Sequence, residues 1–375
     1  MPDLLLSAGQ VVTPARVFAP GWLRLEHGQV ADVGPGAPPR AADLDLGDVT
    51  VVPGFVDVHV HGGGGASFDG GDPDAAATVA QAHRAHGTTT MMASLVTDRL
   101  DGLARSTREL GGLVEDGLLA GVHLEGPWLS PRHAGAHEPT LLAEPTAEQV
   151  DRLLEAGAGH LRMVTLAPEL TGGLEAIRRL SAAGVVAAIG HTDATYDQAR
   201  GALDAGATVG THLFNAMRGL HHREPGPVAA LLEHPDAYVE LVADGVHVHP
   251  AMLGLAAAAK PHLTSLVTDA MAAAASADGG YLLGSRAVSV RDGVARLVDS
   301  GAIAGSTLTL SVAVRYAVQV AGLSLVDAVR AATATPAAML GLDRVGALRP
   351  GYHADLAVLD ADLRVLRVMR RGAWV

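Results

Sequence analysis

Pro53-Gly54-Phe55-Val56-Asp57-Val58-His59-Val60-His61, running straight into four glycines at 62–65, is the stretch that decides how the rest of the chain is read. Val56, Val58 and Val60 alternate with Asp57, His59 and His61, and side chains two apart on a strand share a face. The two imidazoles therefore point the same way. A lone buried histidine is more often a hydrogen-bonded core residue than a ligand. Two same-facing histidines at the end of an apolar strand, followed by a glycine break, read instead as a strand delivering metal ligands to a mouth.

Outward from this run, 51–61, lie seven more apolar, β-rich runs: 88–97, 119–125, 161–167, 185–191, 207–215, 238–247 and 263–269. Helical stretches at 74–86, 100–113, 147–155, 173–183, 196–205, 228–233 and 251–260 separate them, several opened by a capping-type residue and closed by glycine. Strands alternating with helices favour a parallel sheet, and eight of them predict an α/β architecture, a (β/α)8 TIM-type barrel over 51–344. The two ends differ. Residues 1–50 and 345–375 read as short strands with tight turns and no helical period. Neither closes a sheet alone, so the expectation is a small discontinuous β-sandwich domain built from both chain ends.

Composition narrows the function. Of 375 residues 49% are hydrophobic, enough for a sizeable core, and mean hydropathy is +0.25. No apolar run reaches the roughly 18 residues a membrane span needs, and no basic-plus-apolar leader opens the chain. The expectation is a soluble, cytoplasmic protein with no membrane partner. A formal net charge of −13 argues against nucleic acid and anionic membrane surfaces. An anionic small substrate would need its own local cationic pocket. The absence of cysteine removes disulfides and thiolate ligands, so any metal falls to His, Asp and Glu, and 18 histidines are available.

The polar residues sharpen the barrel reading. His59, His61, Glu125, His191, His212, His247 and Asp269 all lie at or near the C-terminal ends of the proposed strands, which converge on one face of a barrel. Glu125, in Val122-His123-Leu124-Glu125-Gly126-Pro127, ends its run as a carboxylate, costly to bury unless paired or metal-bound. With His191 and His212 it gives two imidazoles and one carboxylate, the ligand set of an open catalytic zinc-type site. His59 and His61 complete a neighbouring second site if Glu125 bridges. Asp269, in Val267-Thr268-Asp269-Ala270-Met271, can take a proton from water and pass it to a leaving amine. The segment 127–146, which holds His137, is too rich in Pro and Gly for a helix and reads as a lid or substrate loop. In His221-His222-Arg223-Glu224-Pro225-Gly226, Arg223 offers a guanidinium suited to a phosphate or carboxylate.

Taken together these motifs resemble the N-acetylglucosamine-6-phosphate deacetylases of the amidohydrolase superfamily. The matching stretches are PGFVDVHVHG, HLEGPWLSP with GAHEP, IGHTDATYDQ, THLFNAMRGLHHREPG, DGVHVHP, VTDAMAAA, AGSTLTL and GALRPGYHADLAVLD, in the family's order from about residue 50 to residue 360. The HxH pair and ADLAVLD are shared across the superfamily, whereas THLFNAM joined to HHREPG is specific to this family. The resemblance implies hydrolysis of the acetamide of N-acetylglucosamine 6-phosphate, giving glucosamine 6-phosphate and acetate. It implies Glu125, His191 and His212 as principal ligands of a divalent metal, with Asp269 as general base and acid. The metal would be zinc, with iron, manganese or cobalt as alternatives, at one or two per subunit. His137 and His247 would contact the acetamide or sugar, Asn215 and Ala216 would lie near the phosphate, and Arg223 would bind it. A homodimer is also implied.

Some family members replace the HxH pair and work with one metal; this chain keeps His59 and His61. The single lysine, Lys260, closes an alanine-rich helical run before Pro261, away from every strand end. That disfavours the hydantoinase- and dihydroorotase-like subtype, which bridges two metals with a carboxylated strand lysine. Residues 272–278 are a run of small residues where family members vary. Two alternatives stand beside the leading reading: a deacetylase for the galactosamine epimer or another N-acyl amino sugar, and a non-catalytic binding protein on the same scaffold.

Overall fold

The computed structural model describes residues 3–375. Its centre is a seven-stranded parallel sheet in the order Ala93–Val96, Val122–Glu125, Leu161–Leu166, Val186–Ile189, Val209–Gly210, Tyr238–Val242 and Thr264–Val267. These strands are nearly continuous apolar runs because both faces are covered, the pattern expected when helices form the crossovers. The helices are Pro73–Ala85, Leu100–Glu115, Ala147–Gly157, Gly173–Ala182, Tyr196–Asp204, Gly226–Glu233 and Pro250–Ala259. Their starts are set locally. Asp72 caps the first ahead of Pro73, Thr146 caps the third, and Thr195 forms a capping box with Gln198. One cluster of buried side chains runs through the strands and the helix faces against them.

Phe55–Asp57 pairs in parallel with Thr88–Met91, which leads directly into Ala93–Val96. On its other side Val60 bridges Ala270 in parallel, and the carbonyl of His59 accepts the amide of Asp269 at 2.9 Å. The opening stretch thus touches both the first and the last strands of the sheet. It does not do so as one strand. Thr50–Pro53 belongs to a different sheet, and Pro53-Gly54 turns the chain inward, where a Cβ on Gly54 would run into the Thr89 side chain. The glycines at 62–65 also have a structural reason. The amides of Gly62, Gly64 and Gly65 bond the carbonyls of Ala270, Ala274 and Ala272, and a Cβ on Gly62 would sit 2.8 Å from the Ala272 nitrogen.

Strands from the two chain ends share one sheet. Leu356–Leu359 lies antiparallel to Thr50–Pro53 in a six-stranded sheet that also holds Gln10–Val12, Val17–Phe18, Val365–Arg370 and Ala373–Trp374. A four-stranded sheet of Leu4–Ala8, Gly21–Glu26, Gln29–Pro35 and Leu44–Asp45 shares one apolar cluster with it, in which Leu6, Leu23 and Val30 meet Val51, Leu356 and Met369. Residues 51–53, assigned to the barrel from sequence, therefore ladder with the C-terminal segment instead.

The sequence reading also missed an element. Gly279–Leu283, Arg286–Arg291 and Val294–Leu297 form a three-stranded antiparallel sheet. Its apolar side packs on Met271, Ala272 and Ala273, so the small residues after 271 make room for this sheet. Helices Leu310–Gln319, Leu325–Ala331 and Ala334–Met339 follow, before the return to the terminal sheet. No helix among the described residues is long and apolar enough to cross a membrane.

Candidate active site

The strand ends converge as the sequence predicts. His59, His61, Glu125 and Asp269 form one group of ligand-type atoms within 4.8 Å of one another, and Glu125, His191 and His212 form a second, sharing Glu125. All six are buried. His191, His212 and Asp269 sit just past their strands with φ of 48°, 27° and 48°, in the left-handed region that non-glycine residues seldom occupy. Such strain persists where surrounding contacts over-determine it, and it clusters at functional sites.

Hydrogen bonds fix which ring nitrogen faces inward. His59 Nδ1 lies 3.0 Å from Glu240 Oε2, His61 Nδ1 3.1 Å from the Ser94 carbonyl, and His191 Nδ1 2.8 Å from the His133 carbonyl. A carboxylate or carbonyl can only accept, so each Nδ1 carries a hydrogen and, in the neutral ring, each Nε2 a lone pair. Those lone pairs converge on oxygens. Nε2 atoms of His59, His61 and His191 stand 3.1–3.6 Å from Glu125 or Asp269 oxygens. His212 Nε2 lies 2.9 Å from Glu125 Oε1 and 3.1 Å from His191 Nε2. Imidazole lone pairs facing carboxylate oxygens in a buried space need positive charge between them, supplied by protons on the rings or by a bound cation. The donor set therefore fits one or two divalent cations, and the Nδ1 partners supply the outer support such ligands ordinarily have.

Titration directions reflect the same demand. Burial alone would lower His61, but hydrogen bonds to Asp269 and Glu125 outweigh it and lift the imidazole to about 9; His59 is also raised, by Glu125, Glu240 and Asp269 against burial. Burial pushes Glu125 and Asp269 up, yet the surrounding histidines, His59 foremost, hold both carboxyls well below their usual range.

His137 is held differently. Its Nδ1 accepts the Thr97 amide at 3.2 Å, so Nε2 carries the hydrogen and donates to Glu125 Oε2, also at 3.2 Å. It is a donor at the site's edge rather than a ligand in this tautomer. His247 Nδ1 bonds Asp244 Oδ2 at 2.6 Å, which offsets burial and raises its pKa. Asn215 uses its Nδ2 on the carbonyls of His212 and Leu213, bracing the turn that carries His212 and Ala216.

A cavity of about 380 Å³ opens over the cluster. His61, Glu125, His137, His191, His212, Asn215, Ala216, His247 and Asp269 line it, His59 lying behind them. Arg223 does not. It is exposed, with its guanidinium 2.8 Å from His222 Nε2. The arginine in the wall is Arg132, on the 127–146 segment, paired with Asp193 at 2.8 Å. The unforeseen sheet contributes Leu283. Sequence reasoning also passed over Glu240 behind His59, and His123, which lies against His59 and is held by Ser94 and Thr165. Both have a visible signal, since each is a polar residue inside an otherwise apolar strand.

Residues 50–375 match the Amidohydrolase family, and the chain belongs to that family. A solved N-acetyl-D-glucosamine-6-phosphate deacetylase from Mycobacterium smegmatis, in complex with N-acetyl-D-glucosamine-6-phosphate as an aspartate-to-alanine variant, is 50% identical; the likeness covers 100% of this chain and 99% of that one, with a TM-score of 0.98. An N-acetylgalactosamine-6-phosphate deacetylase of Escherichia coli O157:H7 is 38% identical over 362 residues, 94% of this chain and 95% of that protein. An N-acetylglucosamine-6-phosphate deacetylase of Vibrio furnissii is 35% identical over 356 residues, 93% of this chain and 89% of that protein.

Proposed function

We propose that this chain is a metal-dependent hydrolase that removes the N-acetyl group of N-acetylglucosamine 6-phosphate, giving glucosamine 6-phosphate and acetate. The observation that carries the reading is the ring of inward-facing imidazole lone pairs and carboxylates, with Asp269 on its wall and a sugar-sized cavity above. The 50% identity to the mycobacterial deacetylase, against 38% to the N-acetylgalactosamine-6-phosphate enzyme, favours the glucosamine sugar over its galactosamine epimer.

Glu125, His191 and His212 would hold the principal cation, zinc or alternatively iron, manganese or cobalt, and His59, His61 and Glu125 a second. When bound, a divalent cation there supplies Lewis acidity and lowers the pKa of water. Asp269, kept ionised by His59 and His61, accepts the proton of the attacking water and returns it to the departing amine. His137, its Nε2–H turned into the site, and His247, its Nδ1 fixed by Asp244, orient the acetamide and the sugar. Asn215 and Ala216 lie towards the phosphate, and Arg223, on the exposed loop that follows them, reads it.

The parallel strands are proposed to close into a (β/α)8 barrel within 51–344, beginning at Phe55, which the Val60–Ala270 bridge supports. Residues 1–53, the last three moved here from the barrel by their pairing, and 345–375 would then form one small β-sandwich domain, supported by the apolar cluster their two sheets share.

Acetate release from N-acetylglucosamine 6-phosphate, with and without a chelator and beside the galactosamine epimer, tests the function. Chelator-sensitive release favouring the glucosamine sugar is expected; no release from either epimer sinks the reading, and the absence of stoichiometric metal would point to a non-catalytic binding protein. Arg223→Ala should impair use of the phosphorylated sugar far more than the unphosphorylated one, by about tenfold or more if a charge-assisted pair of roughly 1.5–3 kcal/mol is lost. Equal losses on both sugars remove Arg223 from phosphate recognition.

A further inference from the structure

Glu240 lies in the middle of strand Tyr238–Val242, completely buried, and no step of the proposed reaction uses it. Its Oε2 serves two groups, standing 3.0 Å from His59 Nδ1 and 3.2 Å from the main-chain nitrogen of His212. Its Oε1 is buried with no hydrogen-bond partner among the described residues. A half-satisfied carboxylate inside a strand is expensive, and no lysine or arginine pairs with it among the described residues. Its strand neighbours Val239, Leu241 and Val242 are apolar and fully buried, so packing alone would be met by a valine or leucine.

The compensation for Glu240 lies on the far side of the His59 ring. There Nε2 stands 3.1 Å from His61 Nε2, 3.5 Å from Asp269 Oδ1 and 3.6 Å from Glu125 Oε1. A carboxylate behind an imidazole fixes the tautomer, aims the opposite lone pair and raises its basicity. His61 has a main-chain carbonyl behind it, and the Nδ1 of His212 has no partner among the described residues. Among these histidines, His59 is the one backed by a carboxylate.

We propose that Glu240 is the positioning residue that commits the His59–His61 pair to a divalent cation of its own, so that the chain holds two cations instead of one. Through the His212 amide the same carboxylate ties this second position to the loop carrying a ligand of the first. The inference rests on the function proposed above and goes beyond it by naming the residue that decides the cation number.

Glu240→Gln tests it, since glutamine keeps the shape and a carbonyl that still accepts from His59 but removes the charge. Purified parent and variant are stripped, reloaded with Zn²⁺ or Co²⁺ and dialysed. Bound metal per subunit is then counted by elemental analysis, and affinity is followed through the Co²⁺ absorption spectrum. Two cations per subunit are expected in the parent and one in the variant, with affinity for the second cation about 10- to 100-fold weaker. The metal-free variant should melt no lower than the metal-free parent, because a half-satisfied buried carboxylate is gone. Added to His59→Gln, the change should cause no further loss of metal.

A variant that keeps two cations at parental affinity overturns the proposal and leaves the proposed function intact. Loss of both cations alike overturns it too, by showing that Glu240 supports the whole barrel, as does a further loss on top of His59→Gln. A parent that binds a single cation removes Glu240's role alone, whereas a parent that binds none removes the proposed function with it.

Discussion

The two halves of the cluster are built by opposite means. His191 and His212 lie past their strand ends on backbone with positive φ; His191 is anchored by a carbonyl of the 127–146 segment, and both face the cavity. His59 and His61 are inserted between the first and last strands, tied by main-chain hydrogen bonds to Asp269 and Ala270, with His59 sealed from solvent. The difference teaches that the pocket half can respond to whatever the 127–146 segment does, while the strand half is part of how the fold closes. Asp269 belongs to both. Its carboxylate faces His59 and His61, and its backbone joins the strand ends.

The largest effect is therefore expected at Asp269. Asp269→Asn preserves shape and removes the proton acceptor, so turnover should fall by about 10²- to 10⁴-fold while bound metal is retained. Activity near the parent's would refute its role. Next come His191→Asn and His61→Asn, measured side by side for metal content, acetate release and thermal stability. The pocket-half change should abolish turnover with a smaller loss of stability in the metal-free protein, because the His133 carbonyl it leaves without a donor is only partly buried. The strand-half change should remove one cation and lower stability by about 1–3 kcal/mol, because it leaves the buried Ser94 carbonyl without its donor. If the two variants lose activity and stability in the same proportions, the halves are not distinct.

How much of this was legible in the sequence follows from the same physics. The parallel strands and their crossover helices show because both faces are covered, which writes long apolar runs between polar, capped helices. The convergence of Glu125, His191, His212 and Asp269 shows because each directly follows such a run. The run 51–61 misled at its start. Pro53-Gly54 looked like part of one strand but is the corner between two sheets, and only the pairing partner of Thr50–Pro53 reveals it. The run 207–215 supplies just Val209–Gly210 as ladder, since His212, Phe214 and Ala216 all take positive φ in the turn that follows. The sheet Gly279–Leu297 had a readable turn signal in Asp292-Gly293, but its strands alternate weakly and carry exposed leucine and arginine. Arg132 could not be ranked above Arg223, because which of two loop arginines reaches a cavity is decided by the path of the loop and not by composition.

The smallest expected effect probes the strand half from beneath. His83, fully buried on helix Pro73–Ala85, has Nε2 2.9 Å from the carbonyl of Gly62, the residue after His61, while its Nδ1 has no partner among the described residues. Burial pushes its pKa down to about 4. A histidine whose folded pKa lies below its unfolded value contributes stability that is whole above about 6.5 and is lost as pH falls towards 4, because the unfolded chain takes up the proton first. Between pH 7 and pH 5 this single group should cost about 2 kcal/mol. His83→Gln keeps a donor for the Gly62 carbonyl but cannot titrate. Urea unfolding of the metal-free proteins at the two pH values isolates the term as a difference between parent and variant, so the acid sensitivity of His59 and His61 cancels. A parent whose stability falls no further than the variant's over that interval would show that His83 is already protonated, or not buried, under the strand. A difference near the expected size would show that the support of the His59–His61 half is an acid-labile part of the fold; burial also holds His191 in the pocket half down to about 4, but that contribution is common to parent and variant and cancels.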